Sequence, residues 1–464
     1  MADVAGFRAL GYVPAKVSLD KVLASAELES ASARALALAA DPHNVMHLMD
    51  PAQTGASPVA RWLSSGILAQ QAGRAMYRYH QEFTLPELGG RTLVRRSLLC
   101  GVRIPSLADG GIKLHQAARP VEVDGHARAT TRHHLHAAPA LAAFRDPSFE
   151  VDRLFRRAET APPVLQLQTP DGVWHRLWRC ADAEVIGQVR NLFKPRKLYA
   201  LDGHERLAGM LAAGEAMAQP AGMPMYAAGN YVLMSLVNLE DQSLLPAPCH
   251  RLVAGPPMSA AEVLAKAARY FAVQPLPGLA ASPSHLAKEL DSWTSTQACF
   301  ALVFPAAAAG AVEAWQLTLL PAVNPRDEGV MGHPAVTRLD PVVIEDLFFR
   351  KVLGQPSALF SPSVAGPAKP SEDADVTSGP GAAPGAERPV PVTIVHTAAS
   401  ALAAITSRGP EAPWMAIMGR AVPMQQVVHV ADLGQTLPAG STHFYPPVLG
   451  GMAMLALTAD EDLV

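Results

Sequence analysis

The chain has 464 residues, a formal net charge of −3, 49% hydrophobic residues and 17% charged ones. A single core stops growing near ~250–300 residues, so more than one core is expected, and the profile is far from that of a disordered chain. No basic surplus or run of Lys and Arg exists to attract a phosphate backbone, so nucleic acid is not expected as a partner.

In chain order, the opening MADVAGFRAL lacks the basic stretch and apolar segment of a secretory signal. Ser57-Pro58 supplies a cap and an N1 proline for a helix over VARWLSSGIL. Short apolar runs bounded by turn residues predict strands at Arg176–Cys180, Lys197–Leu201, Tyr231–Asn238, Cys299–Phe304, Pro391–Val395 and Trp414–Met418. Ser259 with Glu262 predicts a capping box for a helix ending near Phe271. The longest apolar stretch, Cys299 to Val312, is too short to span a bilayer and contains Pro305 and Gly310. No membrane partner is therefore expected, and the cytoplasm is the expected address. Asp340-Pro341 predicts a capped helix start, with Phe348-Phe349 read as packing. Ser361 to Pro389 is rich in Pro, Gly, Ala and Ser and reads as a flexible linker or insertion. Thr397 predicts a helix start, with an end near Gly409-Pro410.

Alternating helical and extended segments predict a mixed α/β (α+β) architecture. The expected division is an N-terminal α/β region over 1–175, a central region over 176–355, a linker over 356–389 and a C-terminal α/β segment over 390–464 that packs back on the core. Cys100, Cys180, Cys249 and Cys299 form no CxxC pair, which excludes a zinc or disulfide framework and leaves buried free thiols in a reducing compartment.

The segment able to carry chemistry runs from Lys197 to Gly214, a strand leading through Asp202-Gly203-His204-Glu205-Arg206 into a helix with Leu207, Met210 and Leu211 on one face. Gly203 lets a ligand approach the backbone, the first helical turn presents unpaired N–H groups, and Arg206 adds a fork of donors for a phosphate. Asp202 and Glu205 equally have the spacing of a capping box, which satisfies the same N–H groups from within. The stretch His126 to His136 places His133 and His136 on one helix face, yet no carboxylate or cysteine completes a ligand set, so it reads as a solvated helix or loop with no metal. GxSxG, Walker, HExxH and GxGxxG motifs are absent from the chain.

Several separated blocks together resemble the bacterial family called domain of unknown function 1015. They are Gly6-Phe7-Arg8-Ala9-Leu10-Gly11-Tyr12, Asp41-Pro42-His43-Asn44, Tyr199 to Arg206, Val237-Asn238-Leu239-Glu240-Asp241 running to Pro248-Cys249-His250-Arg251-Leu252-Val253, and Val430 through Ser441-Thr442-His443-Phe444-Tyr445-Pro446. The central block is similar in turn to the phosphate turn of the ParB and sulfiredoxin superfamily, whose members bind or cleave nucleotides and include free-serine kinases. That resemblance implies a ParB/sulfiredoxin-like central unit and a nucleotide-dependent phosphotransferase using ATP or ADP with Mg²⁺ on a small polar acceptor such as free serine.

On that reading Gly203, Arg206, Arg251, Ser441 and Thr442 hold the nucleotide. Asp202 is the base or metal-contacting carboxylate, Asp241 and His250 complete the site, and His204 shuttles a proton. The chain departs from the family pattern at Glu205, where a histidine is usual, at Gln116 after His115, where a His-Glu pair is usual, and at Gly440 and Pro447, where lysines are usual. The early Pro-Pro-Tyr-Asp segment is not recognisable in Leu19–Ala40. These departures fall where phosphate chemistry needs charge, so the alternative is a divergent, non-catalytic nucleotide-binding or partner-binding member.

Overall fold

The computed structural model describes residues 2–28, 31–85, 90–104, 110–218, 224–255, 258–277, 283–293, 296–307, 310–357, 389–407, 412–458 and 461–464. The fold is mixed α/β, and the chain divides into two units. The first comprises 1–114, 118–245 and 444–464, the second 115–117 and 246–443. The linker expected at 356–389 lies almost wholly outside the described residues.

The labelled elements of the first unit are β1 (Val4–Ala5), β2 (Met76–Leu85), β3 (Arg91–Arg103), β4 (Ile112–Lys113), α1 (Pro120–His133), β5 (Ala140–Phe144), α2 (Glu150–Glu159), β6 (Leu165–Gln168), β7 (Trp174–Cys180), α3 (Ala183–Phe193), β8 (Leu198–Asp202), α4 (His204–Ala218) and β9 (Tyr231–Asn238). They build one sheet in the order β6-β7-β2-β3-β9-β5-β8-β4, with β1 paired to β3. β9 and β5 run parallel, as do β8 and β4, and the other neighbours are antiparallel.

Strand alternation sorts the side chains onto two faces. Met76, Leu98, Cys100, Leu198, Ala200, Met234 and Leu236 join a core with Phe155 of α2, Val189 and Phe193 of α3, and Leu207, Met210 and Leu211 of α4. The α4 stripe is the one the sequence predicts. The opposite parity carries Tyr79, Gln81, Arg95 and Ser97, all buried, and the chain's last segment returns there, so that Gln81 and Arg95 bond its carbonyls at 444–447. The boundary expected at 175 is corrected, because it falls inside β7, which pairs with β2 along its whole length.

The second unit holds β10 (His250–Val253), α5 (Ala260–Ala267), β11 (Phe271–Pro275), α6 (Pro283–Ser292), β12 (Cys299–Pro305), β13 (Val312–Leu319), β14 (Val392–Val395), α7 (Ala398–Thr406), β15 (Met415–Met418) and α8 (Met424–Asp432). Its sheet is antiparallel throughout, in the order β11-β13-β12-β15-β10-β14. The segment 390–464 is not one body, because 390–443 belongs to this sheet and 444–464 to the first unit.

The caps Ser259 and Thr397 accept from the N–H of Glu262 and Ser400, as the sequence indicates. Asp340 does not cap its helix; it takes the Arg420 guanidinium at 2.7 Å and the Cys299 N–H at 3.2 Å. The helix after Pro58 stops at Ser64, because Gly66 adopts a left-handed φ of 71° and turns the chain into a strand at Leu68. Phe348 packs edge-on against Phe271 and Phe300 in the core, within a π-helix over Val343–Val352. All four cysteines are buried and free.

Helices α1 and α4 meet at glycine. A Cβ on Gly209 would lie 2.6 Å from the His126 Cβ and 2.8 Å from the Ala127 nitrogen, whereas a Cβ on Gly187, inside α3, meets nothing within 4 Å. Gly209→Ala is expected to destabilise the protein by ~1–3 kcal/mol through overpacking. Gly187→Ala is expected to stabilise it by ~0.5–1 kcal/mol through helix propensity alone. Thermal denaturation of both variants checks the pair, and equal midpoints would refute the close contact.

Candidate functional site

The turn singled out by the sequence sits where β8 hands over to α4. Pairing of β8 with β5 slips between Ala200 and Asp202, so a bulge places Asp202 opposite Leu141. Bulges re-aim side chains next to functional sites. Gly203 follows with φ of 75°, a conformation that L side chains rarely adopt, and the Leu207 N–H closes the first helical bond to its carbonyl at 2.7 Å. The 15-residue helix α4 therefore begins with its first-turn N–H groups next to a half-buried carboxylate. The Asp202 Oδ2 accepts the Phe444 N–H at 3.0 Å, which ties the closing segment to this turn.

Beside it lies a residue the sequence reading did not select. Arg95 is 1% exposed on β3. Its Nε and Nη2 donate to the Gln81 Oε1 at 3.1 and 2.5 Å, its Nη1 to the carbonyls of Phe444 and Tyr445, and its Nη2 also to that of Pro446. Gln81 in turn donates to the Pro447 carbonyl at 2.8 Å. Burial pulls the Arg95 guanidinium down to about 10, against the opposing fields of Tyr79, Asp202 and Asp241. Two carboxylates nominated from separate blocks thus act on one buried cation. The available signal was the charge pair Arg95-Arg96 interrupting the otherwise apolar strand TLVRRSLLCGV.

Asp241 is held in a local turn, its Oδ1 accepting the Ser243 N–H at 2.8 Å and the Ser243 hydroxyl at 2.7 Å.

Arg206 does not offer its fork to a ligand. Its guanidinium folds back against Gly203 and donates to the Glu27 carboxylate at 2.7 Å and to the carbonyls of Ala26 and Pro139. Glu205 is engaged by the Arg119 Nε at 3.1 Å. His204 is buried, bonded to the Leu201 carbonyl, and burial pushes its imidazole down to about 4. A ring that stays neutral at pH 7 is poorly suited to the expected shuttle.

In the second unit, strand alternation sends His250 and Arg251 to opposite faces of β10. Arg251 is corrected in the same way as Arg206: it is 2% exposed, with Nε at 2.5 Å from the Glu345 carboxylate, which also accepts from Ser357. His250 is 1% exposed and held down to about 3 by burial, with His396 and Arg251 adding to the effect. The Ser441 hydroxyl donates to the Pro438 carbonyl at 2.5 Å, and the Thr442 hydroxyl meets the His115 Nε2 at 2.8 Å. The Gln116 Oε1 accepts the N–H groups of Ser441 and Thr442 at 3.0 and 3.2 Å. Nearby, the rings of His396 and His443 stack at 3.7 Å.

The His126–His136 stretch is solvated only in part, which corrects that expectation. Residues 126–133 lie in α1, which packs on α4; Arg128, Thr131 and His134 are exposed, and His136, in the strand Leu135–His136, is 2% exposed. Among the described residues, no group of three or more His, Cys, Asp and Glu residues is placed to hold a metal ion. Nor, among them, is any helix long and apolar enough to cross a membrane.

The profile of the family described as Protein of unknown function (DUF1015) matches residues 4–323. No curated protein matches the sequence. Similar solved structures include a free serine kinase mutant in complex with ADP, at 10% identity and a TM-score of 0.37, covering 79% of this chain and 93% of that one. A conserved hypothetical protein from Pyrococcus furiosus gives 10% identity and a TM-score of 0.36, covering 79% and 97%. C-terminally truncated SbnI from Staphylococcus aureus gives 11% and 0.33, covering 78% and 90%.

Burial pushes His136 and His250 down to about 3 and His204 down to about 4. The unfolded chain takes up these protons near the ordinary value of 6.5, the folded one only at far lower pH, so stability is full above 6.5 and falls as pH drops toward 3. Each group contributes a slope of up to ~1.4 kcal/mol per pH unit. Asp346, raised from 3.8 to about 6, acts in the opposite direction over part of that window, one carboxyl against these rings and those of His126, His133 and His175, which burial also holds down to about 4. Urea denaturation between pH 7 and 4 is expected to show a steadily falling midpoint, with a shallower fall in His136→Asn; a flat profile would refute the burial of these rings.

Proposed function

We propose, for a chain that belongs to the family Protein of unknown function (DUF1015), that the Asp202–Gly203 turn receives the phosphates of a nucleotide, and that the reaction is phosphoryl transfer to a small polar acceptor such as free serine. The observation that carries this reading is the succession of bulged strand end, left-handed glycine and helix start, with the Asp202 carboxylate at the junction. The turn is read as ParB/sulfiredoxin-like in kind.

Mg²⁺ bound with ATP or ADP would keep several waters and need only one or two protein carboxylates, and Asp202 and Asp241 would be the residues to hold it, where it would offset the phosphate charge. Asp202, held by the Phe444 N–H, is the group nearest the turn for orienting or deprotonating the acceptor hydroxyl. Catalysis would then rest on positioning and charge neutralisation, as phosphoryl transfer requires. His204 serves as packing, since its imidazole is neutral at pH 7 and its Nε2–H is spent on the Leu201 carbonyl.

A second reading, nucleotide binding or a regulatory role without turnover, is favoured by one specific fact. Arg206 and Arg251, the two cations nominated for the phosphates, both face internal carboxylates.

Thermal-shift titration with ATP, ADP, CTP and GTP, with and without Mg²⁺, tests the binding step, because a ligand at 100 times its Kd stabilises by ~2.7 kcal/mol. A rise that Gly203→Val abolishes, and whose Mg²⁺ dependence Asp202→Asn removes, is expected. No shift at millimolar nucleotide would overturn the reading. A shift without consumption of either ATP or ADP in the presence of free serine and Mg²⁺ would select the second.

A further inference from the structure

Four arginines are buried among the described residues: Arg78, Arg95, Arg206 and Arg251. Three of them touch carboxylates: Arg78 meets Asp152 and Glu159, Arg206 meets Glu27 and Arg251 meets Glu345. Arg95 has no carboxylate within 4.0 Å among the described residues, and all its acceptors are neutral, the Gln81 amide and the carbonyls of Phe444, Tyr445 and Pro446.

A buried cation left without a contacting counter-charge is costly, and structures normally pair it. Here the guanidinium is fully hydrogen-bonded yet keeps its charge, and the carboxylates whose fields reach it are those of Asp202, at the turn, and Asp241. The segment it grips is the one whose Phe444 N–H binds Asp202.

We propose that Arg95 is the positioning residue of the nucleotide site: it fixes the closing segment 444–447 beside the Asp202–Gly203 turn and supplies a positive field, offset in part by Asp202 and Asp241, that draws an anionic polyphosphate there. This inference rests on reading that turn as the phosphate site. It identifies the ligand class as a nucleoside diphosphate or triphosphate rather than a nucleoside, because the field acts on phosphate charge alone. It also supplies the cation that Arg206 and Arg251 withhold. A field of this kind acts through the low-dielectric interior without contact, and is felt over several ångströms.

The full chain is titrated in EDTA with ADP, AMP and adenosine at two ionic strengths, using wild type, Arg95→Met and Asp241→Asn, with circular dichroism and the denaturation midpoint as checks on folding. Wild type is expected to prefer ADP over adenosine in a salt-dependent way. Arg95→Met should bind ADP about tenfold more weakly and lose both the salt dependence and the preference, with adenosine unchanged. Asp241→Asn removes a carboxylate that offsets Arg95 while keeping the acceptor for Ser243, so it should bind ADP a few times more tightly, and Arg95→Lys, titrated alongside, keeps the charge and should retain the salt dependence, which a merely structural role for Arg95 would not. If Arg95→Met cannot fold, the other two variants decide: a folded Arg95→Lys that loses the salt dependence, or weaker or unchanged ADP binding in Asp241→Asn, overturns the proposal. A folded Arg95→Met with wild-type ADP affinity overturns it while leaving the phosphate turn intact. A wild type that binds none of the three removes the phosphate turn itself.

Discussion

The first unit depends on one guanidinium. Arg95 stands on a central strand of its sheet, and its donors are met by the neighbouring Gln81 and by three consecutive carbonyls of the returning chain. Each of those carbonyls would otherwise be a buried acceptor with a desolvation penalty, so the cation and the segment satisfy each other. Through that grip the C-terminal segment becomes part of the sheet's second face, and the same segment supplies the N–H that holds Asp202. Turn, strand and tail are therefore one hydrogen-bonded assembly although they are far apart in sequence.

The other buried arginines show what the usual solution looks like. Arg78 on β2 is pinned by Asp152 and Glu159 of α2, fastening that helix to the first face of the sheet. Arg206 fastens the start of α4 to the chain at Ala26–Glu27, and Arg251 fastens β10 to the π-helix through Glu345. Removing one partner of such a pair leaves a buried charge uncompensated, so these contacts specify geometry more than they add net stability. A motif arginine and a structural arginine have the same letter in a sequence, and only burial and partners separate them.

Local signals were legible because their causes are local. The six strands foreseen are present, since short β-branched and aromatic runs between turn residues have few other packings. Ser259 and Thr397 cap their helices because each needs only an N–H three residues on. Gly203 was legible for the same reason, its left-handed turn being demanded within two residues. What was not legible depends on pairing at long range. Nothing in Asp340 announces that Arg420 will take its carboxylate, and nothing in the histidines of α1 announces that α4 will cover them. The interleaving of the units, with 115–117 in one and 444–464 in the other, is likewise set by strand and loop partners hundreds of residues away.

The departures from the family pattern acquire physical meaning once partners are known. Gln116 uses its amide oxygen to accept the N–H groups of Ser441 and Thr442, a task that a carboxylate would perform with the added cost of a buried charge. Gly440 has φ of 69°, a conformation a lysine would occupy only under strain. The Pro447 carbonyl accepts from Gln81 and so belongs to the Arg95 assembly. Glu205 carries its own counter-charge in Arg119, so the negative charge at the start of α4 is offset before any ligand arrives. Each change trades a charge for a neutral or internally balanced group, and the sum leaves Arg95, among the described residues, as the buried arginine that touches no carboxylate.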